Sequence, residues 1–271
     1  NLGRHQRGRG AAFAAYDLRA LKRFSFTAAA REEIYGSFDK QFSPSLSGGF
    51  WISERLKLRA SSSRAFRIPS FTDLYYQDPG NRGSPFLRPE KAWSHEAGLD
   101  WSAGGRVRGA VTVFHRRERD VIDYVRQSPS DIWRATNFQA INFTGVEASS
   151  TVRLAKSQTF ETSYTGLRGA RDAVANQFSK YVFNYPIHQG IAGWQGELPG
   201  GVIGRTRVGA LSRFARNPYA VWDVYVASRR TRWRPFAQFT NLSSTRYEEI
   251  PGVAMPGRAF AAGVELTLRS R

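Results

Sequence analysis

The chain has 271 residues, enough for one or two ordinary soluble domains. It carries 40 Lys and Arg against 22 Asp and Glu, a formal net charge of +18, and 14% of it is aromatic. With no cysteine there is no disulfide framework and no thiolate metal site. No apolar run approaches 18 residues, which excludes a transmembrane helix. A basic, aromatic-rich chain can be a nucleic-acid binder, because Lys and Arg meet phosphate and rings stack on bases. Where the charges fall decides against that reading.

Period-two alternation runs through the chain and predicts strands with two unlike faces. About thirteen segments fit, near 11–20, 22–33, 42–52, 55–66, 92–102, 106–118, 132–154, 158–168, 187–198, 202–214, 219–229, 231–241 and 257–268. In the fourth, Leu56, Leu58 and Ala60 alternate with Arg55, Lys57 and Arg59. In the sixth, Val107, Val111 and Val113 alternate with Arg106, Arg108 and Thr112. Phe160, Thr162 and Tyr164 alternate with Glu161, Ser163 and Thr165. Val202, Thr206, Val208 and Ala210 oppose Arg205, Arg207 and Arg213. In the last segment the apolar positions include Val264, Leu266 and Leu268.

The connections alternate in length. Short turns are expected near Ala20–Leu21, Ser53–Glu54, Ala103–Gly105, Ala155–Ser157, Pro199–Gly201 and Arg229–Thr231. Longer links are expected at 34–41, 67–91, 119–131, 169–186 and 242–256, with 215–218 a short exception. Such sorting is the mark of an outer-membrane barrel, with turns on the periplasmic side and loops outside. Phe24, Trp51, Trp101, Phe160 and Trp233 stand near short turns, as an aromatic girdle at one interface would. Charge on a lipid face costs about 2–4 kcal/mol at mid-membrane, whereas a water-filled lumen tolerates it. The arginines opposite the aliphatic face, Arg55, Arg59, Arg106, Arg205 and Arg207, are therefore expected to line the lumen, partly balanced by Glu96, Asp100, Glu147, Glu161 and Glu265.

Two stretches resemble the TonB-dependent outer-membrane receptors. The first is Phe66-Arg67-Ile68-Pro69-Ser70-Phe71-Thr72-Asp73-Leu74-Tyr75-Tyr76, followed by Gly80-Asn81, Leu87-Arg88-Pro89-Glu90-Lys91 and Glu96-Ala97-Gly98-Leu99. The second is Asn241-Leu242, Tyr247, Pro251-Gly252, Met255-Pro256-Gly257-Arg258 and the closing amphipathic strand. The resemblance implies an all-β fold, an antiparallel up-and-down transmembrane β-barrel of about 22 strands plugged by an N-terminal domain. Residues 1–271 would be the C-terminal portion of that barrel, about thirteen strands, with the plug outside this chain. The chain opens Asn1-Leu2-Gly3-Arg4, so a segment that targets it to the membrane is also expected outside it. The end, Leu268-Arg269-Ser270-Arg271, departs from the family's usual terminal aromatic residue.

The resemblance further implies a receptor in the bacterial outer membrane that takes up a scarce ligand, a ferric siderophore or cobalamin. Its energy would come from the TonB complex, and its outer surface would contact outer-membrane lipid. It would not be an enzyme, and no cofactor, catalytic residue or metal site is expected. The four histidines lack metal-ligand spacing. Ligand contacts are expected in the outer loops, where Tyr75, Tyr76, Arg82, Trp133 and Arg134 offer stacking and anion binding. For any one of these five, simple ordering of the loop is the competing role. Two rival functions are a passive, unplugged porin and a soluble basic β-protein that binds nucleic acid.

Overall fold

The computed structural model describes residues 2–20, 22–169, 178–180, 185–214, 216–229, 232–249 and 253–267. Thirteen long strands follow one another in one antiparallel up-and-down path: β1 (Arg9–Ala20), β2 (Phe24–Tyr35), β3 (Phe38–Ser53), β4 (Leu56–Arg67), β6 (Glu90–Ala103), β7 (Val107–Arg126), β8 (Trp133–Ala155), β9 (Gln158–Gly169), β11 (Pro186–Leu198), β12 (Val202–Arg213), β13 (Tyr219–Ser228), β14 (Trp233–Thr240) and β15 (Ala259–Leu266). Each of the thirteen expected segments becomes one of these strands. Three short elements interrupt the outer links: helix α1 (Phe71–Tyr75), β5 (Asn81–Arg82) and β10 (Phe178–Ser179). None of the three is long enough to show a hydropathy period, and none was expected from the sequence.

Two of the tight turns use glycine for a physical reason. Gly104 and Gly105 have φ of 54° and 66°, and Gly200 and Gly201 have φ of 78° and 72°. A two-residue hairpin loop that matches strand twist needs positive φ at both central residues, which only glycine adopts without steric cost. The outer links depart from expectation in two places. The expected long link 34–41 is two residues, Gly36 and Ser37, because β2 and β3 continue pairing as far as Tyr35 and Phe38. Likewise β7 extends to Arg126, so the expected link 119–131 shortens to 127–132. Most of the expected loop 169–186, and Pro251-Gly252, lie outside the described residues.

The chain forms two compact units. One comprises Asn1–Asp100, Thr112–Val146 and Leu167–Tyr185; the other comprises Trp101–Val111, Glu147–Gly166 and Pro186–Arg271. Buried apolar side chains in the first form two small clusters near the outer links. Leu74, Leu87, Ile122, Tyr124 and Ala135 make one; Val121, Ile141 and Phe143 make the other. Elsewhere most large apolar side chains of the strands are exposed along one face, among them Leu58 and Val113 in the first unit and Val208, Val264 and Leu266 in the second. A soluble sheet hides such a face; a membrane strand turns it to lipid. Leu268, expected on that face, lies outside the described residues.

In the second unit the register places Val208 beside Ala192 and Trp222, while Arg207 stands beside Gly193 and Asp223 on the opposite face. The same alternation carries Arg205, and the Arg234–Glu265 ion pair at 2.5 Å stands with it on the polar face. In the first unit Arg59 donates to Asp100 at 3.0 Å and to Thr112. Arg55 and Arg106 correct the expectation. Both sit in the tight turns that precede β4 and β7, because the strands begin one residue later, at Leu56 and Val107. They are exposed turn residues at the ends of those strands.

Phe24, Trp101, Phe160 and Trp233 are exposed on the apolar side near the tight turns. Trp51 is not part of that girdle. It pairs across the strands with Lys57, whose ammonium lies 4.5 Å from the indole centroid, so it belongs to the polar face. Phe50, one residue earlier, takes the girdle position and stacks on Phe24 with centroids 4.7 Å apart.

Candidate ligand-facing site

The link between β4 and β6 is folded, not extended, and its first device is a clamp. Arg67 donates through Nε and Nη2 to both oxygens of Glu90, at 2.5 and 2.7 Å, and through Nη1 to Asp73 at 3.1 Å. Glu90 also accepts the Ile122 backbone N–H at 2.6 Å. A planar guanidinium that meets one carboxylate with two parallel bonds is fixed in direction as well as in charge. Asp73 works twice. Its carboxylate accepts the Ser70 N–H at 2.9 Å while the Ser70 hydroxyl accepts the Asp73 N–H, a capping box that starts α1. Ile68-Pro69 delivers the chain in extended form to that cap. The residues that carry the family resemblance thus weld the end of β4, α1 and the start of β6 together.

A second device orders the turn that follows. Asp78 Oδ1 accepts the N–H groups of Gly80 and Asn81 at 2.8 and 2.6 Å, and Oδ2 accepts the Tyr76 hydroxyl at 3.0 Å. These donors, the Asn81 side-chain amide foremost, hold the Asp78 carboxyl below its ordinary range. The bond from Tyr76 to Asp78 in turn raises the Tyr76 phenol. Gly83 then passes so close to α1 that a Cβ there would lie 2.8 Å from the Asp73 carbonyl oxygen.

The turn lays β5 alongside β8 in parallel, pairing Asn81 with Trp133 and Arg82 with Arg134. On the other side β10 pairs with β7, setting Phe178 beside Arg126. The Arg126 guanidinium lies 4.3 Å from the Trp133 ring centroid, and the Lys180 ammonium 5.6 Å from it. Lys180 also donates to Asn81 Oδ1 at 2.8 Å. The N-terminal stretch closes the rim. His5 stacks on Tyr75 at 4.0 Å, and Arg7 donates to the Pro69 carbonyl at 2.9 Å while lying 4.8 Å from the Phe71 ring centroid. His5 and Arg7 are therefore docked on α1.

All five expected contact residues lie in this one assembly, in unequal states. Tyr76 is tied to Asp78, Trp133 is capped by Arg126, and Tyr75 is stacked by His5. Arg82 and Arg134 are exposed, stand in cross-strand register, and their side chains have no hydrogen bond or ion pair among the described residues. Arg126, Phe178 and Lys180 escaped the sequence reading. Only the pairing of β10 with β7 brings Phe178 to Arg126 and Lys180 to Trp133, and no local pattern announces that pairing.

Residues 2–244 match the family described as TonB dependent receptor-like, beta-barrel. The chain belongs to that family. Among curated relatives, this receptor barrel is 28% identical over 120 residues to the vitamin B12 transporter BtuB of Vibrio vulnificus (strain YJ016), a match covering 44% of this chain and 19% of the relative. A second vitamin B12 transporter BtuB, from Photobacterium profundum, is 26% identical over 131 residues, covering 46% and 20%. Among solved structures, the siderophore receptor PirA from Pseudomonas aeruginosa superposes with a TM-score of 0.74 at 17% identity, covering 95% of this chain and 46% of PirA. The copper transporter OprC gives a TM-score of 0.77 at 16% identity, covering 96% and 47%. The chain thus spans about a fifth of the curated relatives and under half of the solved receptors. These matches place the receptor barrel in the bacterial outer membrane and leave the porin and the nucleic-acid binder without support.

Proposed function

We propose that this receptor barrel is the C-terminal barrel portion of a transporter for active uptake of a scarce ligand, an iron chelate or cobalamin, energised through TonB. A plug contributed by residues outside this chain would close the lumen and engage TonB. The observation that carries the ligand reading is the Arg82–Arg134 pair. Like charges directly opposed on neighbouring strands repel, and an anion bridging them removes that cost. Phe178 and Tyr75, exposed nearby in the same unit, add aromatic surface. An anionic iron chelate suits this surface better than cobalamin, which carries little net charge. On the polar face of the first unit Arg59 would add positive charge, screened by salt and partly neutralised by Asp100, and Arg205 with Arg207 would do the same on the polar face of the second.

The test is equilibrium binding of ferric catecholate and carboxylate chelates and of cobalamin to the full-length receptor across ionic strength. Chelate binding that weakens with salt, and weakens further in Arg82→Ala/Arg134→Ala, supports the anionic ligand. Tight cobalamin binding indifferent to salt, with no chelate binding, refutes it.

A further inference from the structure

The lipid-directed face of the first unit changes character along its strands. Nearer the tight turns it is apolar, with Leu58, Ala60, Ala97, Leu99 and Val113; Val113 is 54% exposed. Next comes a polar row. The Ser62 hydroxyl and His95 Nδ1 are 3.0 Å apart, linking β4 to β6, and His115 Nδ1 and the Thr144 hydroxyl are 2.9 Å apart, linking β7 to β8. His95 and His115 stand equally far from the turn joining β6 to β7, so the two pairs continue one another.

Beyond that row the same face carries Arg64, Trp93 and Arg117, then Lys91 and Arg119. The Trp93 indole stacks on His95, their planes 7° apart. Arg64 is held by a 2.7 Å bond to the Phe42 carbonyl. The side chains of Arg117, Lys91 and Arg119 have no ion pair or hydrogen bond among the described residues. Carboxylates avoid this face on β4, β6 and β7; the acid on the same face of β2, Glu32, lies 3.9 Å from Lys40. Glu90, Glu96 and Asp100 of β6 and Glu118 of β7 all fall on the opposite parity. Random placement would mix the signs, whereas here four cations share a flank without one acid.

We propose that this flank binds phosphate groups on the headgroups of outer-leaflet lipid. Arg64, Lys91, Arg117 and Arg119 supply the charge, and Trp93 sits at the boundary between headgroup and acyl chain. The geometry fits that occupant in order of depth: aliphatic side chains for the acyl layer, an aromatic ring with hydrogen-bonded polar pairs for the interface, cations for the phosphates. A protein partner would demand a mixed-sign rim, and a soluble anion would not explain the apolar band beneath. The inference rests on membrane placement and not on the uptake reading.

The experiment is native mass spectrometry of the full-length receptor in detergent, with bis-phosphorylated lipid A or its dephosphorylated form as probe. The phosphorylated lipid should remain bound, and the dephosphorylated lipid should not. Arg64→Gln/Arg117→Gln should lower retention by roughly fivefold per arginine removed. Arg207→Gln, on the opposite face of its strand, should leave retention unchanged. Equal retention of the two lipids, or an unaltered double variant, overturns the proposal. If the glutamine variant does not fold, Arg64→Lys/Arg117→Lys decides: preserved retention supports a charge-based phosphate site and lost retention overturns it. Chelate and cobalamin binding by the same samples reports the uptake reading independently.

Discussion

Placing an arginine at Val208 tests which face of β12 meets lipid. Val208 is 41% exposed and stands six residues beyond Val202, where β12 begins. At about 3.3 Å per residue that is roughly 20 Å along the strand, and a tilt of about 40° leaves roughly 15 Å of depth. Half of an apolar band about 25–30 Å thick is the same figure, so Val208 lies near mid-membrane. A guanidinium there should cost about 2–4 kcal/mol, a 30- to 1,000-fold fall in the folding constant. Arg207→Ala, one residue away on the polar face, should cost under about 1 kcal/mol, as exposed charges do. Reversible urea unfolding of the full-length receptor in lipid vesicles, followed by tryptophan fluorescence, measures both. Equal costs for the two changes would refute the assigned parity.

Four further outcomes are expected. Arg67→Ala should lower stability by roughly 1–2 kcal/mol, given that its side chain is half exposed, and expose the 68–89 link to protease before the strands unfold. Gly109→Ala should cost about 1–3 kcal/mol in the same urea assay, because a Cβ there runs into the Trp101 indole; an unaltered midpoint would show that the indole moves aside freely. The Asp78 carboxyl is depressed in the folded turn, so the order it contributes is present above its ordinary pKa of 3.8 and lost as pH falls below it. Amide exchange at Gly80 and Asn81, corrected for intrinsic rates, should accelerate at that point, and Asp78→Asn should abolish the transition. Finally, residues 1–271 expressed alone should aggregate, since β1 and β15 each have one unpaired edge among the described residues. A monodisperse, ion-conducting monomer would contradict this.

The strands were legible because each must present one face to lipid and one to water, which writes a period of two into every one of them. Val202 to Ala210 and Leu56 to Ala60 read correctly for that reason. Where the alternation meets a turn it loses meaning, and so Arg55 and Arg106, apparently in phase, proved to be turn residues. Trp51 stands near a turn, but its parity with Lys57 sets it on the polar face. The candidate site was half legible. Tyr75, Tyr76, Arg82, Trp133 and Arg134 share a neighbourhood because they sit in adjacent outer links. Their roles depend on Asp78, Arg126 and Lys180, which the fold brings in from the same turn, from the end of β7 and from the residue after β10. Such pairings have no periodic signature.

The Arg67 clamp has a consequence for how this link can vary. It seals the base of the β4–β6 link, so everything between Tyr76 and Leu87 begins and ends at fixed points whatever its length. Closing a longer loop on a fixed base costs little, about 0.6 kcal/mol for each doubling. This stretch is therefore a cassette: a new recognition surface can be exchanged into it without disturbing the register of the strands below.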